Sequence, residues 1–211
     1  MRVETLFFGE PYCRSYALIE GDQCLLFDCG HPGVLRYLEK NGLQCLGLFL
    51  THGHFDHIAG LAGQEGKLGF PLYIAEEDEV CLEDPYLNAS RGFGLPEVAL
   101  DAAGFDVKSF DDGEEIVLGP FHLKAIKTPF HTLGSSVFYL AKEGLLFTGD
   151  SLFHLGIGRS DLPHAAPRLQ GQSLAKIMAL PEQTRFFPGH GRGASLKEEA
   201  SGNPYLGNGP I

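Results

Sequence analysis

Apolar residues fall along this chain in short clusters, and the spacing within each cluster predicts a secondary-structure element. β-rich runs at residues 3–8, 12–19 and 25–28 are each closed by a turn, at Gly9-Glu10-Pro11, Gly21-Asp22 and Cys29-Gly30. Val34, Leu35 and Leu38 then recur at helical spacing, and Asn41-Gly42 supplies a stop. Residues 46–50 read as a buried strand and 58–63 as the opening of another helix, which completes a β-α-β-α passage. From 84 to 104 the periodicity weakens and breakers accumulate, among them Asp84-Pro85, Gly92, Gly94 and Pro96, so a long surface loop is expected there. Strands resume at 105–110, 115–118, 121–127, 135–140 and 144–147. Leu169, Leu174, Ile177, Met178 and Leu180 restore helical spacing, and 185–187 forms a last short strand. Two similar halves emerge without a linker or exact repeat. The expectation is one α/β domain over residues 1–211, with two sheets packed between helices.

Composition narrows the function. With 211 residues, 44% hydrophobic and 20% charged, the chain can bury a globular core. Its net charge of −11 repels a phosphate backbone, so nucleic acid is not an expected partner. Neither a secretory h-region nor an apolar stretch of the roughly 20 residues needed for a membrane span is visible. The five cysteines are odd in number and form no C-x-x-C pair, which points to reduced thiols in the cytoplasm. The expected partner is a small-molecule substrate, and the oligomeric state is not readable.

The chemistry concentrates in Thr51-His52-Gly53-His54-Phe55-Asp56-His57, directly after the apolar run 46–50. Side chains alternate along an extended chain, so His52, His54 and Asp56 are expected on one side, with His57 following where a helix begins. Three imidazoles and a carboxylate in six positions suit zinc, iron or manganese. His131, Asp150 and His190 each sit in a loop after a β-rich segment, beside glycines that let backbone crowd a compact site. Seven ligands suit two divalent metal ions, zinc first and iron or manganese next, with Asp150 as the natural bridge because a carboxylate can face both. Asp28 is expected to hold the metal-loop backbone through hydrogen bonds, and His31 to be a possible pocket residue. Arg159 offers a planar fork to a substrate carboxylate, unless Asp161 takes it.

These segments resemble the metallo-β-lactamase superfamily and, within it, the glyoxalase II-like hydrolases. The resemblance rests on the 52–57 motif, Thr-Pro-x-His-Thr-x-Gly-Ser at 128–135, Phe-Thr-Gly-Asp-Ser-Leu-Phe at 147–153, Ile-Gly-Arg-Ser-Asp-Leu-Pro at 157–163 and Pro-Gly-His-Gly at 188–191. It implies an αββα sandwich of two mixed sheets with the site at one edge. It also implies that His52, His54 and His131 hold one metal, that Asp56, His57 and His190 hold the other, and that Asp150 bridges them. Relatives usually carry Gly at the position of Phe130, so a bulky ring is expected to reshape the pocket. Glyoxalase II proper adds a C-terminal helical domain that grips glutathione, whereas only residues 191–211 follow the last motif here.

The expected activity is a binuclear metal-dependent hydrolase of small thioesters such as S-lactoylglutathione. A water between two divalent cations, acidified to hydroxide, attacks a polarised carbonyl while Asp56 guides its proton. The alternatives are a mononuclear-iron persulfide dioxygenase, or a lactone or other ester hydrolase of the same fold. A true β-lactamase is disfavoured, because zinc enzymes of that kind commonly place Cys where Asp150 stands. A non-catalytic module would have lost ligands, and none is lost.

Overall fold

The structure, a computed structural model, describes residues 1–92, 94 and 96–206. The first half of the chain builds one sheet from β1 (Arg2–Leu6), β2 (Ser15–Glu20), β3 (Gln23–Phe27), β4 (Gln44–Phe49), β5 (Leu72–Tyr73) and β6 (Val107–Lys108), adjacent in that order. β1, β2 and β3 pair antiparallel, and β3 through β6 pair parallel. The second half builds the other sheet from β7 (Glu115–Leu118), β8 (Phe121–Lys127), β9 (Ser136–Leu140), β10 (Leu145–Gly149), β11 (Arg185–Pro188) and β12 (Ala194–Ser195). All its pairings are antiparallel except β10 with β11. Among the described residues five α-helices accompany them: α1 (Gly33–Asn41), α2 (Phe55–Ile58), α3 (Glu76–Glu79), α4 (Gln170–Met178) and α5 (Leu196–Gly202). This is the expected αββα arrangement of two mixed sheets.

Alternation along the strands explains the layering. In β2, Tyr16 and Leu18 face the second sheet, while Ala17 and Ile19 face outward beneath α1. β3 repeats the pattern with Leu25 and Phe27 inside and Cys24 and Leu26 outside. Both faces are covered, so the strands read as near-continuous apolar runs. Between the sheets Phe27 stacks on Phe147 at 3.6 Å and approaches Phe138 at 5.8 Å, joining the two halves. Each fully buried ring of this kind contributes about 1.5–3 kcal/mol. Val34 and Leu38 of α1 cover the first sheet, and Ile177 of α4 with Leu196 of α5 cover the second.

Some boundaries differ from expectation for local reasons. β1 stops at Leu6, leaving Phe7 and Phe8 exposed. β2 starts only at Ser15 because the amides of Cys13 and Arg14 are spent on the Asp56 and Gly189 carbonyls. The helix expected from 58 begins at Phe55 and ends in a 3-10 turn at Ala59–Leu61. The strand expected over 105–110 shrinks to two residues. Among the described residues no helix is long and apolar enough to cross a membrane.

Candidate metal centre

β8, β10 and β11 run in one direction, since β8 and β10 both oppose β9 and β11 parallels β10. Their carboxyl ends therefore share an edge. His131 follows β8, Asp150 follows β10 and His190 follows β11. Across the seam β4 ends at Phe49 and delivers Thr51-His52-Gly53-His54 into α2. His52 and His54 lie on the extended segment as the alternation predicted, but Asp56 does not: it sits with His57 in the first turn of α2. The helical turn brings it to the same site from another direction. Gly189 allows a close approach, because a Cβ there would collide with Asp150 Oδ1 and the His57 ring.

All seven side chains come together. His54 Nδ1 lies 2.9 Å from His131 Nε2, and the His52 ring is within 4.8 Å of both rings, centre to centre. His190 Nε2 lies 2.9 Å from Asp56 Oδ2, and His57 Nε2 is 3.8 Å from the same oxygen. Asp150 stands between, with Oδ1 3.2 Å from His57 Nε2 and Oδ2 3.4 Å from His131 Nε2. The ligand atoms of His52, His54 and His131 form one compact group; those of Asp56, His57 and His190 form another.

The donor set fits divalent cations. His52 Nε2, His54 Nε2, His57 Nε2 and Asp150 Oδ1 are buried without a hydrogen-bond partner. The ligand atoms of His52, His57 and Asp150 group together, and such orphans would carry a heavy desolvation cost unless an unspent lone pair meets a cation. The opposite ring nitrogens are used. His57 Nδ1 meets Asp28 Oδ2 at 2.9 Å, and His131 Nδ1 donates to the Arg159 carbonyl at 2.6 Å. His52 Nδ1 lies 3.1 Å from Thr51 Oγ1, which in turn donates to the Asp28 carboxylate. Such contacts fix tautomers and leave the second nitrogen bare.

Electrostatics divides the groups. Burial and the neighbouring imidazoles hold His52 well below the ordinary histidine value, and burial brings His54 down to about 3, so both stay neutral. Burial also disfavours charge on His57, yet the carboxylates of Asp28, Asp150 and Asp56 outweigh it and raise His57 well above its usual value. The Cys13 thiol beside it, pushed up to about 11 by burial, stays protonated and adds little. Burial opposes ionisation of Asp150, but His57, His131 and His190 hold it far below the usual carboxylate range.

Asp28 supports the loop as expected: its Oδ1 accepts from the Thr51 amide at 2.8 Å, and the residue adopts a left-handed φ of 58°. A second buried carboxylate, Asp78, escaped the sequence reading. Its Oδ2 accepts from the Gly53 amide at 2.9 Å and the Thr132 hydroxyl at 2.7 Å, and its Oδ1 from the Gly134 amide at 2.6 Å. His164 Nε2 adds a contact at 3.1 Å. Asp78 thus ties the loop carrying His52 and His54 to the loop carrying His131.

The centre opens into a cavity of about 400 Å³, with Pro11, Phe55, Phe153, Ile157 and Leu162 on its walls. Arg159 lies at its mouth, and Asp161 holds the guanidinium through two bonds of 2.6 and 2.8 Å. Phe130 does not reshape this cavity: its ring is fully buried in the interior. His31 stacks on Phe8 at 4.7 Å, away from the lining.

Comparison with known proteins agrees with this geometry. The family model described as the Metallo-beta-lactamase superfamily matches residues 9–190. The chain is 37% identical to a protein named probable metallo-hydrolase YqgX of Bacillus subtilis (strain 168), covering 98% of each chain. It is 29% identical to the hydroxyacylglutathione hydrolase GloC of Haemophilus influenzae, over 82% of this chain and 81% of that one. Among solved structures, the BLEG-1 B3 metallo-beta-lactamase superposes with a TM-score of 0.88 at 31% identity, covering 98% of this chain and 100% of that one. TTHA1623 in a di-iron-bound form gives 0.83 at 32% identity, covering 96% and 100%.

Proposed function

The chain belongs to the metallo-beta-lactamase superfamily, and from that premise we propose that it is a metal-dependent hydrolase of small thioesters such as S-lactoylglutathione. The observation that carries the reading is the convergence of three unpartnered buried ligand atoms, on His52, His57 and Asp150, behind a partly apolar cavity that Asp150 lines together with His54 and His131. His52, His54 and His131 would hold one divalent cation and Asp56, His57 and His190 a second, with Asp150 facing both. Bound there, the cations supply Lewis acidity, which brings water toward hydroxide near neutral pH and polarises a carbonyl. Zinc suits the donors, and iron is supported by the di-iron form of TTHA1623.

The chain's own groups do the rest. Neutral His52 and His54 keep their lone pairs unprotonated across the physiological range. Asp56, on the cavity wall, accepts the proton of the attacking water at its carboxylate. Phe55, Phe153, Ile157 and Leu162 seat the hydrocarbon part of the substrate and exclude bulk water. Arg159 keeps its Nη1 donors for a substrate carboxylate while Asp161 fixes the plane of the fork. No protein nucleophile is called for. Five free cysteines suit a reducing compartment, and we place the reaction in the cytoplasm.

A second reading, β-lactam hydrolysis, is favoured by the full-length similarity to BLEG-1. One assay separates the readings: metal-loaded protein given S-lactoylglutathione, a lactone or a β-lactam under nitrogen, and glutathione persulfide under air. Release of free thiol from the thioester without oxygen is the expected result. Oxygen uptake with the persulfide and an intact thioester would overturn the hydrolase in favour of a dioxygenase, and turnover of the β-lactam alone would transfer the assignment to the second reading.

A further inference from the structure

Behind the loop that carries His190 lies a cavity of about 430 Å³, lined by β1 and β2 on one side and by β11 and β12 on the other. Arg14, Arg185 and Arg192 all border it. They are three of the chain's eight arginines, gathered in one place on a protein of net charge −11. Elsewhere Arg2, Arg91 and Arg159 each pair with a carboxylate. In the cavity none of the three has a carboxylate within ion-pair distance among the described residues. The guanidinium of Arg14 lies over the Phe7 ring at 4.6 Å, and that of Arg185 over Phe187 at 5.7 Å. Stacking on a ring fixes the plane of a guanidinium and leaves its N–H edge unspent. Arg192 directs Nη2 to His154 Nε2 at 2.6 Å. One acid borders the cavity, Glu198, and its Oε2 is occupied by the Ser195 amide and hydroxyl, each at 2.9 Å.

We infer that this cavity binds a small organic phosphate monoester. Three guanidinium groups against one carboxylate leave a local excess of two positive charges, which matches a monoester of about −1.5 to −2 better than a single carboxylate. Arginine forks match phosphate oxygens in pairs. The volume exceeds that of a bare phosphate and falls in the range of small-ligand sites, so an organic portion fits as well. Nucleic acid is the wrong polyanion, because the rest of the surface is acidic. The cavity also touches the catalytic edge through backbone. The Arg14 amide donates to the Gly189 carbonyl at 2.7 Å, and the Tyr16 hydroxyl donates to the Pro188 carbonyl at 2.6 Å. These bonds brace the segment that ends in His190. The site stands apart from the proposed hydrolase reaction, and neither depends on the other.

Isothermal titration of the metal-loaded full chain with ribose 5-phosphate and with inorganic phosphate, at low and at moderate salt, tests the inference. Ribose 5-phosphate should bind the more tightly and weaken as salt rises. Arg14→Gln/Arg185→Gln should lose about 10-fold or more in affinity, the loss expected when charge-assisted hydrogen bonds disappear. His131→Ala, which dismantles the metal centre, should leave binding unchanged. Should the double variant fail to fold by circular dichroism, Arg185→Gln alone, on an exposed strand position, carries the same expectation in smaller measure. No heat from wild-type protein, equal affinity in the arginine variants, or loss of binding in His131→Ala would each overturn the site. Inorganic phosphate binding as tightly as the ester would overturn the organic portion.

Discussion

His52, His54 and His131 retain 1%, 3% and 3% of their surface, whereas Asp56 and His190 keep 14% and 29% of their side chains open at the cavity wall. The buried trio consists of imidazoles alone, and Asp78 and the Arg159 carbonyl hold its loops from behind. The outer group mixes two imidazoles with a carboxylate, and its members brace one another through His190 and Asp56. Fixed geometry therefore belongs to the inner group and to fully buried His57, which Asp28 pins, and the larger contact with solvent to Asp56 and His190. Asp150 joins the two, with one oxygen toward His57 and the other toward His131.

Removing one ligand from each group puts the largest strain on this contrast. His131→Ala should empty the inner position and lower kcat on the order of 10³-fold, because the geometry of the whole centre depends on it. His190→Ala should cost about 10²-fold and release metal from the outer position only. Elemental analysis beside steady-state kinetics reads both effects. Equal metal loss in the two variants would erase the distinction.

A smaller effect sharpens it. Asp78→Asn keeps the size of the side chain but replaces a carboxylate that accepts three hydrogen bonds from the two inner loops. Supporting residues of this kind typically change metal affinity by about 10–100-fold. Chelator competition should show the inner cation bound more weakly by that margin and the outer one unaffected. Weakening of both positions alike would make Asp78 a general fold residue rather than a positioning residue for one group.

Asp78 also shows where sequence reading stops. It lies in Glu76-Glu77-Asp78-Glu79, a charge run with the pattern of a solvated face, and the loops after β4 and β8, with His164, take up its buried carboxylate. The contacts with the two loops span 25 to 56 residues, beyond the reach of any local pattern. The ligands were legible for the opposite reason: imidazoles and carboxylates crowded beside glycines have few other uses. The paired antiparallel strands of the second sheet were legible too, and Glu115–Leu118 and Phe121–Lys127 fall where alternation placed them. The two-residue strands β5 and β12 were not, and β6 keeps only two residues of the strand expected over 105–110, since their hydrogen bonds come from neighbours rather than from a periodic run. α5 was overlooked although its start is written in Ser195-Leu196-Lys197-Glu198, where Ser195 and Glu198 form a capping box. Phe130 misled because it stands next to the ligand His131 in sequence, whereas in the loop after β8 its ring is turned into the interior.

The central claim is that one carboxylate serves two cations, and metal content measured together with thioester turnover on wild-type protein and on Asp150→Ala tests it most directly. The account predicts about two metals per chain in fully active wild type, with content and turnover falling together in the variant, because two cations would otherwise face each other unscreened. One metal per chain in fully active wild type, with Asp150→Ala unchanged in both content and turnover, would contradict it.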